Sequence, residues 1–514
     1  MKICPKCHQR YADEALKFCR IDGAELIASS VDDSATTVEL KPPSGEVFTT
    51  GKLKNAPSVA VLPFVNNSPD SENEYFCDGL AEEIINTLSK IERLRVVART
   101  SAFSFKGQGA DVREIGRTLN VNAILEGSVR KSGNILRITA QLVNVADGYQ
   151  IWSERYDREL KDVFAIQDEI SLAIVDAMKL KLLIEEQAAV LKRYTDNPEV
   201  YSLYLKGRYF WNKRIPQMVL KAIDCFTEAL RLSNDYALAH AGLADCYALL
   251  GMFGGVDPRI AMPKAKQSAM RALEIDSELA EPYATLGIVK GVFDWDWPAS
   301  EADLKRSIEI NPGYSYTHEV YGRLLCGYGK LHESIDRLNI ALRLDPLSPL
   351  IYCAMANAYY YGHELDQAIA QAQKALDLVP DQPWALCIQG LSYELKGMRA
   401  EAISLLEMCL AHNGPFPTVL SALIYAYGRA GQTEEAERTL EQLTELSKTI
   451  HVPPYYRSWV NIGLKRYDAA FEDLENAVEE RAVLVLVMNV DPIFDPIRFD
   501  PRFQRIVSRI SSAN

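Results

Sequence analysis

Long hydrophobic runs are missing from this chain of 514 residues. The best candidates, SVAVLPFV and AVLVLVM, are only strand-length. A membrane-crossing helix needs about 18 or more consecutive apolar residues, so no membrane insertion is expected. The first residues also lack the apolar stretch of a secretory signal. Basic side chains are not in excess: 56 Lys and Arg stand against 69 Asp and Glu, a formal charge of −13. A surface built to hold phosphates needs clustered cations, so a nucleic-acid partner is not expected. Catalytic signatures are absent too. The seven histidines are dispersed, no Gly-x-Ser-x-Gly occurs, and KGQGAD (106–111) lacks the spacing and following lysine of a phosphate loop. The expectation is a cytoplasmic protein without enzymatic activity.

Paired cysteines are also few. Three of the ten lie in the opening segment, and Cys77, Cys225, Cys246, Cys326, Cys353, Cys387 and Cys409 are scattered singly. That spread suits small buried hydrophobes in a reducing compartment better than a disulfide framework.

What is present falls into successive regions. Residues 1–27 hold Cys4-Pro-Lys-Cys7 and Cys19, with Asp22 where a fourth cysteine would complete two equally spaced knuckles. Residues 28–57 are rich in Ser, Thr, Pro and Gly and poor in large apolar side chains, as in a flexible linker. An α/β pattern follows over 58–160. VAVLPFV (59–65) and LRVVART (94–100) read as strands around a helix carrying Leu80, Ile84, Ile85 and Leu88 on one face. VREIGRTLN (112–120) reads as a second helix. Two hairpins then turn at Ser132-Gly133-Asn134 and at Asp147-Gly148, giving a sheet of about five strands. Residues 161–196 connect onward, with one long amphipathic helix over 164–186.

From 197 to 480 the chain repeats itself. The helix-end strings ALEIDSE, SIEINPG, ALRLDPL, ALDLVPD and CLAHNGP begin at Ala272, Ser307, Ala341, Ala375 and Cys409, steps of 35, 34, 34 and 34. An earlier copy starts at Ala229, 43 residues before Ala272. Within the period, Gly322, Ala356 and Gly390 mark a small site on the first helix (A) of each pair. Ala368, Ala402, Ala436 and Ala470 mark one on the second (B). Gly329, Gly397 and Gly431 mark the A-to-B turn, and Pro312, Pro346 and Pro380 stop helix B. Seven to eight repeats are expected, with 481–514 capping the last helix face.

These residues carry three resemblances. The 34-residue register resembles tetratricopeptide repeats, an α-solenoid whose A helices line a concave groove. Residues 58 to about 157, with VAVLPFVNNS, EYFCDGLAEEIINTLSKI, LRVVARTSAFSFKG and LRITAQLVNVADGYQIWSERYDREL, resemble the TolB N-terminal-like (FlgO-like) domain. In bacteria that domain typically precedes such repeats, behind a cyclase, a kinase or a winged-helix module. The opening segment resembles a zinc ribbon that departs from its pattern at Asp22.

Cys4, Cys7, Cys19 and Asp22 form the candidate structural zinc site, since thiolate and carboxylate are both competent ligands. His8 is the other candidate donor. The repeat register projects Arg323, Asn357, Tyr360, Tyr361, Trp384, Glu394, Tyr425 and Arg429 onto the groove, and aromatic and Arg side chains dominate binding hot spots. The Lys and Asn clamp by which some such proteins hold C-terminal carboxylates is not reproduced. The other tempting sites have structural explanations. Asp294 and Asp296 in DWDWP read as an enlarged A-to-B turn, and the Asp-Pro pairs at 491, 495 and 500 as helix caps. The function expected is a scaffold or adaptor that binds a protein or peptide in the groove. The alternative is a regulatory component of bacterial signal transduction whose TolB-like domain senses a small ligand.

Overall fold

The computed structural model divides the chain into two compact units, Met1–Ala56 and Pro57–Asn514. It describes residues 57–511 apart from 69, 71–72, 134, 160–161, 181, 193 and 253–255, together with three short strands of the first unit. Those strands are β1 (Lys2–Ile3), β2 (Arg10–Tyr11) and β3 (Ile27–Ala28), antiparallel in the order β2-β1-β3. Cys4, Cys7, His8, Cys19 and Asp22 lie outside the described residues, as does the linker from 29 to 56.

The second unit opens with a six-stranded sheet of β4 (Ser58–Val61), β5 (Val65–Asn66), β6 (Arg95–Val96), β7 (Ala123–Ser132), β8 (Ile135–Asn144) and β9 (Gln150–Glu159). The order is β6-β4-β7-β8-β9, and β5 also pairs with β7. β4 runs parallel to both neighbours, so both its faces are covered and Val59, Ala60 and Val61 are all buried. β7, β8 and β9 form an antiparallel meander. β8 alternates: Leu136, Ile138, Ala140 and Leu142 point inward while Ile135 and Arg137 face out. Leu80, Ile84 and Leu88 of α1 (Glu74–Leu88) and Ile166, Ile170 and Ile174 of α4 (Val163–Ala177) share a core with that inner face. The outer face at β4 is covered through Ile115 and Leu119 of α3 (Val112–Leu119).

Two sequence expectations are corrected here. The stretch 94–100 is strand only at Arg95–Val96. Its end enters a short helix, α2 (Arg99–Phe103), because Ala98 N–H donates to Leu344 O (2.8 Å) and Ser101 N–H to Asp345 Oδ1 (2.9 Å). These contacts with the repeats outweigh the β-preference of the local sequence. The single helix over 164–186 is in fact broken. α4 ends at Ala177, Lys179 takes φ +55°, and Leu180 N–H closes onto Val175 O before α5 (Ile184–Val190) begins. That is a Schellman-type stop with lysine in the place glycine prefers.

Eight helix pairs follow, A then B in each. They are α6 (Pro198–Trp211) and α7 (Pro216–Leu232), α8 (Ala237–Met252) and α9 (Pro258–Ile275), α10 (Ala280–Val289) and α11 (Trp297–Ile310), and α12 (Ser315–Gly327) and α13 (Leu331–Leu344). Next come α14 (Pro349–Tyr361) and α15 (Leu365–Leu378), α16 (Pro383–Leu395) and α17 (Arg399–Asn413), α18 (Pro417–Ala430) and α19 (Thr433–Leu446), and α20 (Pro454–Gly463) and α21 (Tyr467–Glu479). The small sites are where the helices meet. A Cβ at Gly322 would lie 2.7 Å from Leu338 Cγ, and Ala368, Ala402, Ala436 and Ala470 are fully buried. The A-to-B turn needs a left-handed residue. Gly329, Gly397 and Gly431 supply it at φ +76°, +80° and +76°, whereas His363 and Lys465 adopt it at +59° without glycine's freedom. In the third repeat the extra residue is absorbed by a π-turn over Lys290–Asp294, after which Asp296 caps α11.

Residues 481–511 do more than cap the stack. α22 (Pro501–Ser511) does pack on the last repeat, where Arg502 Nη1 donates to Asp468 Oδ1 at 2.7 Å. Before it, residues 481–498 turn back along the A helices. Leu486 fills a notch at Gly327, where a Cβ would come within 2.6 Å of Leu486 Cγ. Arg481 donates to Phe293 O at 2.9 Å and lies 3.8 Å over the Trp295 ring.

Candidate functional site: the A-helix face of the repeats

The A helices carry the residues that a solenoid of this kind offers to a ligand, and two segments of the chain itself lie against them. At the first three repeats the occupant is α1. Arg208 on α6 is 8% exposed, and its Nε and Nη2 donate to Glu82 Oε1 at 3.0 and 2.8 Å. Its Nη1 donates to Asp245 Oδ2 on α8 at 3.2 Å. Glu82 also accepts from Asn212 Nδ2 at 2.7 Å and pairs with Arg99 Nε at 3.0 Å, and Asp245 accepts from Thr285 on α10 at 2.8 Å. This buried network ties α1 and α2 to three successive A helices. Burial alone would raise the Glu82 carboxyl, but Arg208 and Arg99 outweigh it and hold it below its ordinary value. Burial wins at Asp245, which is pushed up to about 6 despite Arg208. The neighbouring Glu83 is pushed up to about 7 by burial and then by Glu82, although Tyr204 donates to it at 3.1 Å.

At the later repeats the occupant is the 481–498 segment. Asp491 is 1% exposed, accepts from Tyr455 of α20 at 2.8 Å, and is pushed up to about 6 by burial. Arg498, also buried, donates through Nη2 to Asp491 O at 2.6 Å and through Nε to Asp495 Oδ1 at 2.9 Å, locking the turn. Phe494 meets the Tyr455 ring at a centroid distance of 5.5 Å.

Of the residues that the repeat register assigns to the groove, Tyr360, Glu394 and Tyr425 are buried. Tyr360 and Tyr425 belong to one apolar cluster with Met488, Ile493 and Phe494. Glu394 pairs with Arg429 at 3.1 Å, which bridges neighbouring A helices. Tyr360 and Tyr361 are in edge contact at 5.5 Å. Asn357, Tyr361 and Trp384 are half-buried, and Arg429 is exposed. Arg323 is half-buried and held by Glu319 (2.9 Å) and Leu350 O (2.9 Å). Sequence reasoning missed Glu82, Arg208 and Asp245; Asp491, expected as a helix cap, does accept from Ile493 N–H at 3.0 Å, and its bond from Tyr455 is the part the sequence did not announce. The available signal was two adjacent glutamates between Leu80 and Ile84 on a helix that turns out to be buried almost all round. Among the described residues no group of three or more His, Cys, Asp and Glu side chains is placed to hold a metal.

Residues 54–173 match the family described as HilA/YgeH-like transcriptional regulator, second domain. The chain is 36% identical over 251 residues to a protein of Rhizobium meliloti named "Putative adenylate cyclase 3", a match covering 48% of this chain and 42% of that one. It is 22% identical over 348 residues to the transcriptional regulator HilA of Salmonella typhimurium, covering 66% of this chain and 60% of HilA. It is also 28% identical over 121 residues to human tetratricopeptide repeat protein 28, covering 24% of this chain and 5% of that protein. The matched stretches thus span less than two thirds of each of these relatives. The helical pairs of this chain resemble tetratricopeptide repeats in their register and pairing, and no described helix is long and apolar enough to cross a membrane.

Proposed function

We propose that this protein is a non-catalytic scaffold whose repeats bind a protein or peptide along the part of the A-helix face that the chain leaves accessible. The observation that carries the reading is the ridge of Asn357, Tyr361, Trp384 and Arg429. These aromatic, amide and cationic side chains are among the register positions that keep access to water, Tyr361 and Trp384 while packing on the same apolar cluster as Met488 and Phe494. Such side chains anchor interfaces when a partner desolvates them. In this reading α1 and the 481–498 segment fix the shape of the face and restrict what can enter it. The test is capture of partners by the immobilised full chain beside its Trp384→Ala and Arg429→Gln variants, Gln keeping a donor for the buried Glu394. A partner held by the wild type and lost from both variants, with both still cooperatively folded, supports the ridge. Equal capture by all three removes it. Binding should also change little with salt, because steep salt dependence belongs to phosphate contacts.

A second reading is favoured by one further observation, a cavity of about 60 Å³ where α1, α4 and the first three A helices converge. Glu83, Lys90, Gln167, Tyr201, Tyr236 and Glu281 line it, and the buried Tyr236 hydroxyl has no hydrogen-bond partner. Here the α/β domain, which resembles the TolB N-terminal-like domain, senses a small polar ligand and passes the signal to the repeats through α1. Thermal-shift screening of the full chain with metabolites and nucleotides separates the two readings, since a pure scaffold shows no small-molecule stabilisation. For the opening segment we retain a structural zinc held by Cys4, Cys7, Cys19 and Asp22, a donor set that is chemically competent.

A further inference from the structure

The strand at the open edge of the sheet carries a charge order that is complementary to its own reverse. β9 pairs with β8 on one side. Among the described residues it has no strand on the other side, and from Gln150 to Arg158 its backbone bonds are the ladder to β8 and the contact of Arg158 Nη1 with Asp157 O at 3.2 Å. Proteins usually blunt such an edge by shortness, proline, a bulge or charged side chains, lysine above all, so what matters on a charged edge is the order of its charges. β9 is ten residues long and contains neither proline nor lysine. Its one bulge leaves Ile151 unpaired near the start of the strand, opposite the Leu142/Val143 step of β8, and the ladder is regular from Trp152 to Glu159. It carries Glu154-Arg155-Tyr156-Asp157-Arg158, in which Tyr156 is buried against the core and the four charged residues are exposed.

We infer that β9 is a homodimerisation edge whose occupant is the β9 of a second copy of this chain, antiparallel and centred on Tyr156. In that register Arg155 faces the partner's Asp157 and Glu154 faces the partner's Arg158. Two-fold symmetry repeats both pairs, so four opposite-charge contacts form. Residues directly opposite on antiparallel strands are near enough for charge to decide the pairing. The register is also selective. A continuous sheet that keeps its helices on one side can slip only by moving the centre one residue. Centring on 155 sets Arg155 against Arg155 with no opposite-charge pair, and centring on 157 sets Asp157 against Asp157 and keeps two opposite pairs, Arg155 with the partner's Glu159, in place of four. Like charges directly opposite destabilise. Within one chain Asp157 already accepts from Arg137 (2.6 Å) and from Arg155 (2.6 Å). The carboxylate is therefore held on the strand where the partner's Arg155 would meet it. This inference goes beyond the scaffold reading, and neither depends on the other.

The experiment is sedimentation of the full chain over about 1–200 µM, since a short strand interface lies at the weak end of specific association. The expected result is a concentration-dependent rise from the single-chain mass of 57.6 kDa towards twice that value, reduced by added salt. Glu154→Arg/Asp157→Arg makes all four charges of residues 154–158 positive, and Arg155→Glu/Arg158→Glu makes all four negative. Each alone should raise the dimer Kd by about thirtyfold or more, as four modest surface pairs become four repulsions. Mixed in equal amounts they should dimerise again, because every facing pair is then opposite in sign. The milder pair Arg155→Glu and Asp157→Arg makes the same test should either double variant fail to fold. A wild type that stays at one chain's mass throughout overturns the inference. So do variants that associate as the wild type does, or folded variants whose mixture remains monomeric.

Discussion

Replacing Arg208 by methionine removes the charge that holds α1 against the repeats, and with it the guanidinium over Trp211, while keeping an unbranched apolar stem. The guanidinium makes four observed interactions: two bonds to Glu82, one to Asp245 and a stacking contact 4.4 Å from the Trp211 ring. Removing one partner of a buried ion pair costs about 3–5 kcal/mol, because the remaining charge is left without compensation. Glu82 keeps Arg99 and Asn212, so most of the loss falls on Asp245, which keeps a bond from Thr285. For a cooperative unit of about 150–250 residues, that loss lowers the melting temperature by about 6–20 °C. Calorimetry and denaturant titration of the full chain measure it, with the first transition compared by two probes because a molecule this size need not unfold in one step. Arg208→Met/Glu82→Met/Asp245→Leu should recover much of the loss, since apolar replacements of buried ionic groups are often neutral or stabilising. An Arg208→Met protein within about 1 kcal/mol of the wild type would refute the claim that this network holds the α/β domain to the repeats.

Three other predictions address different parts of the chain. Ala402 is fully buried where helices A and B touch, so Ala402→Leu should cost about 1–3 kcal/mol by overpacking, read as a lowered melting temperature. Glu83 binds a proton more tightly in the folded state than unfolded, so its contribution to stability falls as pH rises from its ordinary value of 4.5 to about 7. Glu83→Gln removes that fall, so the variant should gain on the wild type between pH 5 and pH 8, and an unchanged difference in melting temperature would contradict the assignment. Purified protein should carry one zinc per chain, released by Cys19→Ser without altering the melting of the repeats. Asp22→Cys should tighten retention against a chelator, and metal analysis without zinc would remove the site.

The repeats were legible because their constraints recur locally. A small residue where two helices touch, a left-handed residue at the turn and a proline after helix B return every 34 residues, and each leaves its mark on residue type. Where the same geometry is met by Lys179, His363 or Lys465, the signal vanishes, since nothing in a lysine or histidine announces a positive φ. The break after Ala177 was hidden for that reason. The short helix at Arg99–Phe103 was hidden for another: its determinant, Asp345, lies 244 residues from Ser101. The alternating β8 and the two hairpins could be read because period-two burial and a glycine at the turn are both local signals.

The groove marks the limit of such reading, because a repeat register identifies a face without saying what lies on it. Tyr360 and Tyr425 sit at ligand-facing positions of the register, and in this chain the neighbour at those positions is the segment around Met488, Ile493 and Phe494. Binding faces and internal interfaces draw on the same side chains, since aromatic rings bury large area at small entropic cost in either role. Burial separates them. A tyrosine at 2% exposure has already lost its water, so a partner that displaced the 481–498 segment would regain little there and would also have to expose the buried Asp491 and Arg498. Any partner of the folded chain therefore gains most from side chains that remain half-wet. Within the register those side chains include Asn357, Tyr361, Trp384 and Arg429, none of them fully buried.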